Sequence, residues 1–141
     1  MKKSDLLIIP AAALGVMIAN VAVSFGVVWF YSAFVNPDQP FAHYEAFAAE
    51  AAPVSSVVAG IPLMLAAGYL LAKGRPRRGA LLAAGAAALV YILVDLAILL
   101  GARASGSIWS WAALSHATKA LSALAGAALR AARTPSLPIG G

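Results

Sequence analysis

The sequence predicts an all-α integral membrane protein, a four-helix bundle with a short interfacial helix in its first outer loop. Of its 141 residues, 62% are hydrophobic and only 11% are charged, and the mean hydropathy is +0.88. Soluble domains carry about a quarter charged residues, so a water-soluble fold of this length could not bury so much apolar surface. The chain also contains four apolar segments, each close to the ~20 residues that cross a ~30 Å hydrocarbon core.

Cysteine content and charge narrow the classes of function. The chain has no cysteine, which excludes disulfides, cysteine-based metal sites and a cysteine nucleophile. A net charge of +5 would suit nucleic acid, but the basic residues lie mainly at the ends of the apolar segments, where a membrane protein needs them. We therefore interpret the charge as a topology signal and expect no nucleic-acid partner.

The first span is expected at about residues 6–34. The two lysines before it resemble the start of a signal peptide, but the apolar run continues to Val35, beyond the length of a signal-peptide core. An uncleaved signal anchor is therefore the preferred interpretation. Asn20 and Ser24 lie one turn apart on the same face of this helix, and their expected role is hydrogen bonding across a helix–helix contact.

The loop after the first span, residues 36–53, is expected to contain a short amphipathic helix on the outer membrane surface. Pro40 suits the first turn of a helix. The apolar residues that follow it recur at helical spacing, namely Phe41, Tyr44, Phe47 and Ala48. Pro53 is expected to end this helix and lead into the second span.

The remaining spans are expected at residues 54–72, 80–102 and 107–132. Short connections make them successive antiparallel neighbours, so residues 1–134 should form one transmembrane domain and residues 135–141 a disordered tail. The fourth segment is the weakest candidate because His116 and Lys119 lie close to its middle. Its polar residues form one stripe, so a helix lying flat at the outer interface is the alternative.

The distribution of basic residues predicts a multi-pass protein of the bacterial inner membrane with both termini in the cytoplasm. Positive charge collects on the cytoplasmic side of a membrane. Most basic residues lie near the chain ends or between the second and third spans: Lys2, Lys3, Lys73, Arg75, Arg77, Arg78, Arg130 and Arg133. Only Arg103 lies on the opposite side. Aromatic residues support this orientation, and the expected interface anchors are Trp29, Tyr31, Trp109 and Trp111.

Asp95 interrupts the third apolar segment, where a carboxylate costs a few kcal/mol unless a partner offsets it. Counting about 1.5 Å per residue places His116 at nearly the same depth as Asp95, with Lys119 one turn deeper. We therefore predict an intramembrane polar cluster in which Asp95 pairs with His116, Lys119 or both. The favoured role is a structural clamp between the third and fourth helices, and the alternative is a proton or ion relay.

The sequence contains no recognisable set of catalytic residues. His43, Glu45 and Glu50 in the outer loop do not make a catalytic zinc site and are interpreted as a solvated polar face. A single intramembrane histidine is too few for a haem held between two helices. HExxH, GxSxG and P-loop motifs do not occur. We therefore expect no enzymatic activity, no metal and no cofactor.

These observations favour a small integral membrane protein that acts as an accessory or assembly subunit. Its expected partners are the lipid bilayer and either further copies of itself or a larger membrane complex. The alternative is a small transporter or proton-conducting oligomer that uses Asp95, His116 and Lys119. The two hypotheses differ in a testable way, because a clamp tolerates replacement of the whole cluster by well-packed apolar residues and a relay does not.

Overall fold

The computed structural model describes residues 5–103 and 106–133, and every regular element within them is a helix. The elements are α1 (Asp5–Phe30), a π-helical extension of α1 (Tyr31–Val35), α2 (Phe41–Leu71), α3 (Arg77–Gly101) and α4 (Gly106–Arg133). The predicted all-helical class is therefore confirmed. The expected tail at residues 135–141 lies outside the described residues.

Contacts between α1 and α2 show that these helices run in opposite directions. Asp5, at the start of α1, forms an ion pair with Arg75, which follows the end of α2. Asn20, further along α1, donates a hydrogen bond to Ser56, which lies nearer the start of α2. We call the end of the bundle that holds Asp5 and the connection between α2 and α3 the α2–α3 end.

Helix α4 runs parallel to α2 and antiparallel to α3. Ser115 in α4 lies 3.5 Å from Ser56 in α2, measured between their Oγ atoms. Further along both helices, the guanidinium of Arg130 lies 4.8 Å from the centre of the Tyr69 ring. The last turns of α4 are therefore at the α2–α3 end, together with the start of α1.

The core of the bundle is packed mainly by small side chains. Its largest group of buried apolar residues includes Ala13, Val16, Met64, Ala67, Ala80, Ala84, Ala88, Ala123 and Ala127. Small residues at helix contacts let the backbones approach closely, as is common in membrane proteins. Among the described residues, the largest fully buried side chains are Lys119 and Met64.

Glycine permits the close approach of α2 and α4. A Cβ atom on Gly68 would collide with the backbone of Ala123, and one on Gly126 would collide with the backbone of Leu65. A backbone segment within a helix cannot move aside as the end of a long side chain can. The observed packing of these two helices therefore requires glycine at both positions.

The outer surface of the bundle is apolar on all four helices. Large exposed side chains include Leu7, Ile18 and Phe25 on α1, Val58 and Leu70 on α2, Leu82 and Leu93 on α3, and Leu114, Leu121 and Leu129 on α4. Three segments are long and apolar enough to cross a membrane: Asp5–Val35, Phe41–Leu71 and Arg77–Gly101. Helix α4 is not among these three segments, because polar residues lower its hydropathy. They include Ser115, Lys119 and Ser122, and all three are buried.

The short helix predicted in the first outer loop is not a separate element. Its residues form the first part of α2, which continues through Pro53, so the prediction that Pro53 ends a helix is wrong. Proline removes one backbone donor, and neighbouring contacts can compensate for that loss. Before Pro53, the Phe47 ring stacks on Tyr31 with centroids 3.8 Å apart. After it, Ser55 Oγ lies 2.8 Å from Ser24 Oγ, so both halves of α2 pack on the same neighbouring helix.

Candidate functional site

Lys119 lies inside the bundle, with a relative exposure of 1%. Its Nζ atom donates hydrogen bonds to Ser56 Oγ at 2.9 Å, Tyr91 OH at 2.9 Å and Ser115 Oγ at 2.7 Å. An ammonium group carries three N–H donors, so these hydroxyls match its full hydrogen-bonding capacity. Nζ also lies 4.6 Å from the centre of the Tyr91 ring, a cation–π distance. Hydroxyls and an aromatic face therefore surround the lysine head group.

Gly60 gives the Lys119 side chain its path along α2. A Cβ atom on Gly60 would lie 3.1 Å from Lys119 Cγ and 3.2 Å from Cδ, and it would collide with Cε. The Lys119 side chain would have to shift to avoid this contact, and a shift of its outer carbons displaces the Nζ atom that the hydroxyls hold. The glycine and the lysine are therefore structurally coupled.

Asn20 connects α1 to the same hydroxyls. Its Nδ2 donates to Ser56 Oγ at 3.0 Å and to Tyr91 OH at 3.4 Å. Asn20 Oδ1 is buried and has no hydrogen-bond partner among the described residues. Exchanging the two amide atoms would leave Nδ2 without a partner instead. We call Asn20, Ser56, Tyr91, Ser115 and Lys119 the central polar cluster, because it joins all four helices.

Asp95 and His116 form a second polar contact, between α3 and α4. His116 Nε2 lies 2.7 Å from Asp95 Oδ2, and the two side chains are 11% and 30% exposed, respectively. The structure thus brings together two of the three residues in the cluster predicted from the sequence. Lys119, the other partner considered for Asp95, bonds to hydroxyls instead. The polar site consists of a central cluster and an Asp95–His116 pair, with Asp95 one helical turn from Tyr91.

The sequence pattern does not single out Ser56 or Tyr91, and it places Ser115 only in the polar stripe of the fourth segment. Helical spacing relates Ser115 to Lys119, four residues later, and it could also have indicated Tyr91, which lies four residues before Asp95. Side chains four residues apart share a helix face. Ser56 had no such signal, since its place in the cluster depends on the register between α2 and α4.

Ser24 and Trp29 lie nearer the end of α1 that is opposite the α2–α3 end. Trp109 and Trp111 lie at the start of α4. Ser24 Oγ donates to the carbonyl oxygen of Asn20 at 3.2 Å, in addition to its contact with Ser55. Trp29, Trp109 and Trp111 are 64%, 37% and 40% exposed. These three positions give the outer surface aromatic side chains at the ends of α1 and α4.

Tyr31, the remaining predicted anchor, packs against the first turns of α2. Its hydroxyl lies 3.2 Å from His43 Nε2, and Asn36 Nδ2 lies 3.1 Å from the same nitrogen. The described residues contain no group of three or more histidine, cysteine, aspartate or glutamate residues placed to hold a metal ion. His43 therefore belongs to a small hydrogen-bonded group with Tyr31 and Asn36.

The core between the central polar cluster and the α2–α3 end is mainly apolar. Val16, Met64, Ala84 and Ala123 are buried there. Ser122 is the buried polar side chain on this side of Lys119 in α4, and its hydroxyl donates to the Thr118 carbonyl oxygen at 2.7 Å. The central polar cluster is therefore separated from the α2–α3 end by apolar packing.

The fold and the site define a class, a helical bundle with three helices able to span a membrane and polar contacts between its helices. These features are consistent with a membrane protein. The chain matches no protein-family model, and no curated protein or solved structure is significantly similar to it.

Proposed function

We propose that this chain is an integral membrane protein of four spans, without enzymatic activity, that acts as an accessory or assembly subunit. In this role it packs against itself or against a larger membrane complex. The observation that carries the proposal is the separation of polar and apolar groups, because the central polar side chains bond to one another and the outer surface is apolar. Such a surface interacts by packing with lipid and with other helices.

The orientation of α4 supports a fourth span. Leu121, on its outer face, is 68% exposed, whereas Lys119 and Ser115 are buried against the other helices. A helix lying flat at a membrane interface turns its polar face to water and its apolar face to lipid. In α4 the polar face is covered by protein and the apolar face is free, which is the arrangement expected of a membrane-crossing helix in a bundle.

The basic residues support the proposed orientation in a bacterial inner membrane. Lys73 and Arg75 lie at the α2–α3 end, and Arg130 and Arg133 are in the last turn of α4 at the same end. Positively charged segments are retained on the cytoplasmic side. The proposal therefore has both termini of the chain in the cytoplasm.

The central polar cluster is proposed to fix the register of the helices. Asn20, Ser56, Tyr91 and Lys119 come from α1, α2, α3 and α4, respectively, and a shift of any helix would break its bonds to the others. A buried polar group is costly when its bonds are broken, and the cost is greater where water is absent. The cluster thereby favours one arrangement of four otherwise similar, alanine-rich helices.

A proton relay is the second candidate, and the Asp95–His116 contact favours it. A histidine next to a carboxylate inside a membrane protein is suited to proton transfer near neutral pH. The apolar packing between the central polar cluster and the α2–α3 end opposes a path through a single chain. A relay would therefore need an aqueous route formed between copies or with a partner.

Replacing Asp95, His116 and Lys119 together by apolar residues distinguishes the structural clamp from the proton relay. We expect the triple variant Asp95→Leu, His116→Leu and Lys119→Met to remain folded and to keep its assembly. Buried ion pairs exchanged for well-packed apolar residues are often neutral or stabilising, and Asn20 keeps Ser56 and Tyr91 as partners. Assembly is measured by blue-native electrophoresis of membranes, and proton flux by a pH-sensitive dye trapped in liposomes.

The Asp95→Asn variant is the matched control, because it keeps a hydrogen-bonding group beside His116 and removes the ionisable carboxylate. The proposal expects no proton flux from the wild type or from either variant. If the wild type conducts protons and both variants remain folded but do not, the cluster acts as a proton relay and not as a structural clamp. Migration of the wild type as a monomer from native membranes would contradict the packing role.

A further inference from the structure

A groove of about 920 Å³ lies between α1, α2 and α3 at the α2–α3 end. Its lining includes buried residues of each helix, Val16, Ala67 and Ala83, together with the exposed side chains of Leu70 and Leu82. The groove is thus apolar along its length and reaches the outer surface of the bundle. Its size is within the range of pockets that bind small ligands, about 300–1,000 Å³.

The groove has the length of one lipid leaflet. Along α1 its lining extends from Asp5 to Ala19, which at about 1.5 Å per residue is a distance of about 21 Å. Half of a ~30 Å hydrocarbon core is about 15 Å, and the headgroup adds to that length. The α1 wall includes the small residues Ala12, Gly15 and Ala19, and a Cβ atom on Gly15 would meet nothing within 4 Å.

The mouth of the groove is basic. Lys73 and Arg75 line it, and Arg77 and Arg78 follow in the first turn of α3. The Arg75 guanidinium is positioned by Asp5 and by the carbonyl oxygen of Leu71. Because the basic side chains outnumber the single lining carboxylate, the mouth suits an anionic group.

We propose that this groove binds an anionic phospholipid, with its phosphate at Lys73 and Arg75 and an acyl chain along the small residues of α1. The inference rests on the proposed membrane insertion and adds a specific ligand to it. Basic pockets between membrane helices on the cytoplasmic side recognise anionic lipid headgroups. A membrane-spanning helix of a second copy would make contact over about 30 Å, which is longer than the groove, so the length of the groove favours a lipid.

The test is native mass spectrometry of the full-length protein titrated with phosphatidylglycerol or phosphatidylcholine. We expect tighter binding of phosphatidylglycerol, weakened about fivefold by Lys73→Gln, the effect of removing one basic residue near an anionic headgroup. Gly15→Leu should fill the groove and reduce binding of both lipids. Gly26→Leu is the matched control, because a Cβ there also meets nothing within 4 Å and Gly26 does not line the groove.

The outcomes separate this inference from the proposed function. Release of the protein from membranes by alkaline carbonate would overturn both. Retention in the membrane, with equal affinity for the two lipids and no effect of Lys73→Gln, would overturn the lipid site alone. A Gly15→Leu variant that loses oligomeric mass while its lipid binding is unchanged would assign the groove to a second copy. If Gly15→Leu does not fold, Lys73→Gln, an exposed change, still decides the question.

Discussion

Gly68→Ala is expected to lower the unfolding temperature of the detergent-purified protein clearly below that of the wild type. The added methyl group would collide with the backbone of Ala123, so α2 and α4 would have to separate. Overpacking of a well-packed interior costs about 1–3 kcal/mol, and a collision with backbone lies at the upper end of that range. Gly126→Ala, which would collide with the Leu65 backbone, should have a similar effect.

Gly26→Ala is the control for this experiment. It makes the same chemical change in α1, at a site where a Cβ atom meets nothing within 4 Å. Alanine is a better helix former than glycine by about 1 kcal/mol, so this variant should be unchanged or slightly more stable. Equal unfolding temperatures for Gly68→Ala and Gly26→Ala would show that α2 and α4 do not pack as closely as described.

Lys119→Ala is expected to cause the other large loss of stability. It leaves a cavity in the core and removes the donor that Ser56, Tyr91 and Ser115 share, and truncation of a large core side chain costs about 2–5 kcal/mol. Lys119→Met fills a similar volume without a charge and should remain close to the wild type. Unfolding in detergent, followed by circular dichroism, compares the two variants. A Lys119→Met variant as unstable as Lys119→Ala would show that the ammonium itself holds the bundle together.

Gly60 provides a second test of the same site. Gly60→Ala should destabilise the wild type, because the new methyl group would collide with the Lys119 side chain. In the Lys119→Ala background that side chain is absent, so the same change should be neutral or stabilising. Residues in contact typically show interaction energies of about 0.5–3 kcal/mol in such double-mutant cycles. Simple additivity of the two costs would contradict the position of Lys119 beside α2.

Features that follow from helix geometry alone were accessible from the sequence. The third and fourth spans, expected at residues 80–102 and 107–132, differ by only a few residues from α3 and α4. The rise per residue predicted that Asp95 and His116 lie at nearly the same depth, and in the structure His116 Nε2 lies 2.7 Å from Asp95 Oδ2. Both inferences needed only the rise per residue of a helix and a short connection between two neighbouring helices.

Features that depend on packing between distant helices were not accessible. Lys119 bonds to Ser56, and this choice depends on the register of α4 against α2, which alanine-rich faces do not specify. Likewise, the sequence does not distinguish Gly68 from Gly26. Gly68 is essential for close helix packing, whereas a Cβ atom added at Gly26 would meet nothing within 4 Å. The continuation of α2 through Pro53 depends on contacts with α1 that the local pattern of proline and polar residues does not contain.

We infer that α4 crosses the membrane together with the other three helices. The most direct test is a reporter fused after Gly141 that is active on only one side of the membrane, with a second reporter of opposite specificity as the control. Four spans predict a C-terminus in the cytoplasm, on the same side as the N-terminus. A C-terminus on the outer side would contradict four spans, because α4 would then lie at the membrane surface and could not form the buried contacts described for Lys119 and His116.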